Sequence, residues 1–187
     1  MSVMKRGANA NLTREIPGLK GLVLGVRWST GAEKGLADNL VLATILCSAD
    51  GKALSEEHFV FFNQLSEPSM SVRQLTEALD DDAEQVEVEF AAVPAEVSRI
   101  VVAIYINQAP GTARGLGQLR DLVVRVLDPA NNRELVRSEN MATAVSGESA
   151  MALGEVYRHS NGWKFRVIGE SYRTGIVGLA EDYGVPM

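Results

Sequence analysis

The sequence predicts an all-β protein, a two-sheet β-sandwich with one or two short helices, including one at the C-terminus. Three observations carry that expectation. Apolar segments of strand length recur along the 187 residues and are divided by turn residues, which is the spacing of a sandwich or barrel. The 3.6-residue period of amphipathic helices is mostly missing. And residues 148–172 read as a hairpin: Trp163, Phe165 and Val167 alternate with Lys164, Arg166 and Ile168 after the sequence His159-Ser160-Asn161-Gly162. Asn-Gly is the strongest short hairpin signal, because a type I′ turn needs positive φ at both central residues.

In chain order, the clearest strands are expected at 22–28, 41–46, 59–62, 86–90, 100–106 and 119–127. Val86, Val88 and Phe90 alternate with Gln85, Glu87 and Glu89, which predicts one buried and one wet face. Residues 100–106 are apolar on both faces. That strand belongs at the centre of a sheet, its second side covered by a loop, a helix or another subunit. Pro94-Ala95-Glu96 predicts one helical turn ahead of it, because proline at the first helical position forfeits no hydrogen bond. At the C-terminus Ile176, Leu179, Ala180 and Tyr183 form an i, i+3, i+4, i+7 stripe that ends at Gly184 and Pro186, the pattern of a short helix packed on the sandwich. No repeat or linker interrupts the chain, so one domain is expected over 1–187, with a long excursion at 71–84.

Composition narrows the function. Hydrophobic residues make up 46% of the chain and charged residues 22%, which is the globular range. The formal charge of -6, from 24 acidic and 18 basic residues, argues against nucleic-acid binding, which leaves a basic stripe. Cys47 is the single cysteine and lies in an apolar run, so an intrachain disulfide is impossible and a buried reduced thiol is expected. No stretch approaches the ~20 apolar residues of a membrane span, and no apolar run follows the charged N-terminus as a signal peptide requires. A cytoplasmic protein is expected.

Chemistry-bearing patterns are few. His58 and His159 stand apart, without partners at zinc spacing. The glycines at 111–117 lack the Gly-Lys-Ser/Thr ending of a phosphate loop, and no nucleophile elbow is present. Catalytic residues are therefore not assigned, and a non-enzymatic protein is expected. The unusual feature is an acidic run: Glu77, Asp80, Asp81, Asp82, Glu84, Glu87 and Glu89 follow one another with no basic residue between Arg73 and Arg99. Like charges repel over a Debye length of ~8 Å, so this run is either a solvated loop and wet strand face or a cation site.

Several short motifs occur in a recognisable order. They are Asn11-Leu12-Thr13 with Pro17-Gly18-Leu19, a first strand ending in Trp28, Asp50-Gly51-Lys52, Phe61-Phe62-Asn63-Gln64-Leu65, Val93-Pro94, Gly117-Gln118-Leu119-Arg120 and the hairpin with Glu155-Val156-Tyr157-Arg158 and Trp163-Lys164-Phe165-Arg166. Together they resemble the TerD family of bacterial tellurium-resistance and stress proteins over nearly the whole chain. The resemblance implies a sandwich that binds calcium through acidic loops, since calcium takes six to eight hard oxygen ligands. It also implies partners among other stress-system proteins, and it leaves self-association open. Carried over by motif, the metal candidates are Asp82 and Glu84, with Asp38, Asn39 and Glu148. The family's first acidic motif falls on 39–43, where Val41 cannot coordinate and only Asn39, beside Asp38, offers an oxygen. In the second, one aspartate has become Ala83. A weakened calcium site is one expectation from these losses, and a metal-free interaction or scaffold protein is the other.

Overall fold

Alternation decides which side chains enter the core. In the computed structural model, which describes residues 2–31, 34–109 and 114–186, the strands are β1 (Ser2–Met4), β2 (Asn9–Asn11), β3 (Gly21–Ser29), β4 (Leu40–Cys47), β5 (Phe59–Val60), β6 (Val72–Gln74), β7 (Glu84–Glu89), β8 (Arg99–Ile106), β9 (Asp121–Asp128), β10 (Arg133–Ser138), β11 (Ala150–His159) and β12 (Gly162–Tyr172). Three short helices are α1 (Leu12–Glu15), α2 (Lys34–Ala37) and α3 (Ile176–Asp182). One sheet has the order β1-β10-β9-β3-β7-β6 and the other β2-β12-β11-β8-β4-β5. Pairing is antiparallel except between β1 and β10. Two six-stranded sheets make the expected sandwich.

The space between the sheets is filled by alternate residues: Leu22, Leu24 and Val26 of β3, Leu122, Val124 and Val126 of β9, and Ile100, Val102 and Ile104 of β8, with Phe165 from β12. All are fully or almost fully buried, and each such side chain contributes about 1.5–3 kcal/mol by leaving water. β8 lies between β4 and β11, as its two apolar faces require. Its second face, Val101, Ala103 and Tyr105, joins Val41, Ala43 and Ile45 in a separate cluster closed by Leu179 of α3, with Ile168, Tyr172 and Tyr183 around it. The cover is a helix of the same chain. Cys47 sits in this cluster, 0% exposed, and burial pushes its thiol up to about 12, helped by the negative charge of Glu155.

Four local expectations need correction. The strand expected at 59–62 stops at Val60, because Phe61 and Gln64 exchange two backbone hydrogen bonds of 3.0 Å and turn the chain. Phe90 is outside β7, in a 3-10 turn, Phe90–Ala92, where its ring stacks on Trp163 at 5.0 Å. The helical turn is there and not at Pro94, whose carbonyl closes a simple turn with the Val97 amide. Gln85, expected on a wet face, is 1% exposed, since the 75–82 excursion folds back over it.

The hairpin turn is displaced by one residue. His159 pairs with Gly162, and the positive φ values belong to Ser160 (48°) and Asn161 (64°). Gly162 is needed for a different reason: a Cβ there would collide with Thr13 Oγ1 of α1, the atom that accepts the Trp163 amide at 3.0 Å. Replacing Gly162 with alanine is expected to cost about 1–3 kcal/mol through that overlap, measured by urea unfolding. A loss below about 0.5 kcal/mol would mean that α1 moves aside freely.

Candidate functional site

Two carboxylates of the acidic run, Asp80 and Asp82, are neutralised by arginines from other strands. Across the outer face of the first sheet, strand register lines up Gln85 of β7, Gly25 of β3, Arg125 of β9 and Arg137 of β10. Gly25 leaves a notch in this row, for glycine inside a strand often marks a close approach. The notch is filled by the Asp82 carboxylate, and a Cβ at position 25 would collide with it. Arg125 Nε donates to Asp82 Oδ1 at 2.8 Å and Oδ2 at 3.0 Å. Gln85 Nε2 donates to Oδ2 at 2.7 Å. Around the same guanidinium, Nη2 reaches Asp80 at 3.2 Å and Nη1 reaches Glu134 at 3.4 Å. Arg137 holds Glu134 at 2.7 Å, and Arg27 Nε lies 3.9 Å from Asp82. Three carboxylates and three guanidiniums close a neutral cluster.

The Asp82 side chain is 0% exposed and that of Arg125 6%. Burial opposes the Arg125 charge, but the hydrogen bond and charge of Asp82, then Asp80 and Glu134, outweigh it and hold the guanidinium pKa above its ordinary value. Burial likewise works against the Glu134 charge, and Arg137 followed by Arg125 reverses it, so this carboxyl is held below its usual range. The loop is tied down twice more: the Gln85 side chain exchanges hydrogen bonds with Leu79 N and O at 3.3 and 3.4 Å, and the Ala83 amide donates to Val26 O at 2.8 Å.

The five residues carried over as metal ligands do not meet. Asp82 is on the outer face. Glu84, two residues on, belongs with Val86 and Val88 on the inner face of β7, opposite Val26. There burial raises the Glu84 pKa against hydrogen bonds from Gln74 and the Leu42 backbone. Gln74 Nε2 is 2.8 Å from Glu84, while Gln74 Oε1 is buried without a hydrogen-bond partner. Asp38 is exposed, just after α2. Asn39 is used locally, its Nδ2 donating to Gly35 O at 2.6 Å and its carbonyl accepting from Asn107 N at 2.7 Å. Glu148 accepts from Ser146 Oγ at 3.2 Å and Ser171 Oγ at 3.1 Å; burial acts against its charge, and these hydroxyls overcome it and keep the carboxyl below its ordinary range. Among the described residues no group of three or more His, Cys, Asp or Glu side chains could hold a metal ion.

The donor set therefore does not fit calcium at Asp82. Both oxygens are engaged, and a fixed guanidinium about 3 Å away repels any incoming cation, by about 4 kcal/mol per unit charge at 4 Å in a protein-like dielectric. Gly25, Arg125 and Glu134 were outside the sequence expectation. A glycine in the middle of β3 and an arginine in the apolar run of β9 were the available signals, but only register reveals that they are neighbours.

Fold and site define a β-sandwich protein whose longest acidic loop is clamped to one sheet by arginine. The chain belongs to the TerD family: the TerD domain matches residues 1–183. It is 36% identical over 187 residues to general stress protein 16U of Bacillus subtilis (strain 168), covering 97% of this chain and 96% of that protein. It is 30% identical over 190 residues to the tellurium resistance protein TerD of Serratia marcescens, covering 99% and 98%. Two solved structures share the fold. SAV2460, a protein of unknown function, superposes with a TM-score of 0.68 at 19% identity over 91% of this chain and 99% of its own. SCO6318 of Streptomyces coelicolor A3(2), a homologue of the telluride resistance protein TerD, gives 0.65 at 18% identity, covering 87% and 96%. Among the described residues no helix is long and apolar enough to cross a membrane.

Proposed function

We propose that this protein acts in the stress response as a cytoplasmic, non-enzymatic binding protein that contacts other components of the same system and does not need calcium to do so. The observation that supports this reading is the engagement of Asp82 by Arg125 and Gln85, which removes the central carboxylate from any metal site. Two further features favour binding over chemistry. The Cys47 thiol is buried with its pKa pushed up to about 12, so at neutral pH almost no thiolate forms, and thiolate is the nucleophilic species. Ser55, which lies 2.7 Å from His58, spends its hydroxyl capping a 3-10 turn. The names of the relatives, general stress and tellurium resistance proteins, supply the physiological setting.

A thermal melt with calcium and with chelator tests this reading. Ligand at 100 times its Kd adds about 2.7 kcal/mol, which at this chain length is about 5–10 °C. A shift below about 1 °C is the expected result, and a shift of several degrees would overturn the calcium-free reading. One observation favours a second reading, a single weak cation position at Glu84, where the unpartnered Gln74 Oε1 lies beside a carboxylate that hydrogen-bonds only uncharged groups. A calcium shift abolished by Glu84→Gln and kept in Asp82→Asn would select it.

A further inference from the structure

We infer that the Arg125 guanidinium is the resident cation of the acidic loop, standing in for a dissociable metal ion, so that the loop is held in its docked shape at every calcium concentration. This rests on the calcium-free reading above and adds what replaces the ion.

The geometry carries the inference. Carboxylates from two separate segments, Asp80 and Asp82 in the loop and Glu134 on β10, converge on one guanidinium, each using a different nitrogen, at 2.8–3.4 Å. Convergence of hard oxygens from separate segments on one positive charge is how a protein holds calcium, and here the charge is part of β9. The seat is built for that charge. Gly25 gives the Asp82 carboxylate room to lie against the sheet, Gln85 takes the remaining direction on Oδ2, and Arg137 keeps Glu134 aimed at the cluster. Asp80 occupies its place with a left-handed backbone, φ 59°, a conformation with a modest cost for a non-glycine residue that the surrounding contacts have to hold.

The functional consequence concerns regulation. A loop closed by a metal ion opens when the ion is withdrawn and can report its concentration. One closed by a side chain of the same molecule is closed once the protein folds. The surface formed by residues 75–82 is thus presented to a partner constitutively.

Removing the guanidinium should restore a cation requirement. Arg125→Met leaves three carboxylates facing a common space without their central charge. In chelator its melting midpoint is expected to fall by about 10 °C, and about 5 mM calcium, above the range of the weaker protein sites, is expected to return at least about 5 °C of that fall. The wild type is expected to move by less than about 1 °C. In the double variant Arg125→Met with Asp82→Asn the calcium response is expected to disappear, and Arg125→Lys, which keeps a positive charge, is expected to show none. If Arg125→Met does not fold in chelator, recovery of its tryptophan fluorescence on adding calcium is the equivalent readout. A folded Arg125→Met protein indifferent to calcium overturns the inference, as does an unfolded one that calcium fails to recover, or a calcium response that survives Asp82→Asn. A calcium shift in the wild type would instead count against the calcium-free reading, so the two failures are distinguishable.

Discussion

Replacing Asp82 with alanine is expected to destabilise the protein by about 3–5 kcal/mol, the cost of breaking a buried ion pair from one side. At this chain length the midpoint falls by about 10 °C. The size of the effect comes from what stays behind. Arg125 remains almost fully buried with one solvent-exposed carboxylate and a 3.4 Å contact to Glu134, Gln85 Nε2 loses the nearer of its two acceptors and keeps only Leu79 O at 3.4 Å, and the notch above Gly25 becomes a void. Asp82→Asn should be nearly as costly, since it keeps the volume and removes the charge. Urea unfolding of both variants measures this, and a loss under about 1 kcal/mol in each would show that Asp80 and Glu134 suffice to compensate Arg125.

Glu67→Gln is expected to cost about 3 kcal/mol at neutral pH and much less in acid. The Glu67 carboxylate is 2% exposed and accepts from Ser69 N at 2.7 Å, Ser69 Oγ at 2.5 Å, Ser71 N at 2.6 Å, Ser71 Oγ at 2.8 Å and Val72 N at 3.1 Å. Hydrogen bonds to a charged group contribute about 1.5–3 kcal/mol each, and buried donors left without a partner add their desolvation cost. Burial acts against the Glu67 charge, and the Ser69, Ser71 and Val72 donors overcome it, so its folded pKa is lowered. A lowered folded pKa means stability that is present above the unfolded value of about 4.3 and lost as pH falls through the folded one. Glu134, also lowered, adds to the same acid loss. Glu84, raised by burial, opposes it, because protonation favours its folded state. Stability measured from pH 7 to pH 3 should therefore fall for the wild type and fall less steeply for Glu67→Gln. Parallel curves would remove Glu67 as the source.

Much of the architecture could be read from one-dimensional pattern. The alternation in β12, the apolar run of β8 and the stripe of α3 each announce an element, because the information lies within a few residues of one another. Short elements escaped for the same reason. β1, β6 and β10 have three to six residues and exist as strands through their partners. Gly162 misled because a glycine next to asparagine looks like turn chemistry, whereas Thr13, 149 positions earlier in the numbering, is what demands it. The site was harder still. The acidic run was plain, but the charge answering it comes from Arg125, more than forty residues downstream, and only the pairing of β3 with β7 and β9 brings the two together. Motif transfer placed Asp82 and Glu84 side by side as ligands, but only Glu84 is in β7, on its inner face, while the loop that ends at Ala83 folds over the sheet and lays Asp82 against Gly25 on the outer face.

The order in which the two sheets can close bears on folding during synthesis. β1 lies against β10, β2 against β12, and the helix that covers β8 follows β12 in the chain. The first sheet has all its strands once β10, at 133–138, is made, whereas the second waits for β12, at 162–172, and contacts of such long sequence separation close slowly. Until α3 docks, the apolar outer face of β8 lacks its Leu179 cover. A chain halted before residue 176 is therefore expected to hold this apolar face open to water, a surface of the kind that chaperones bind.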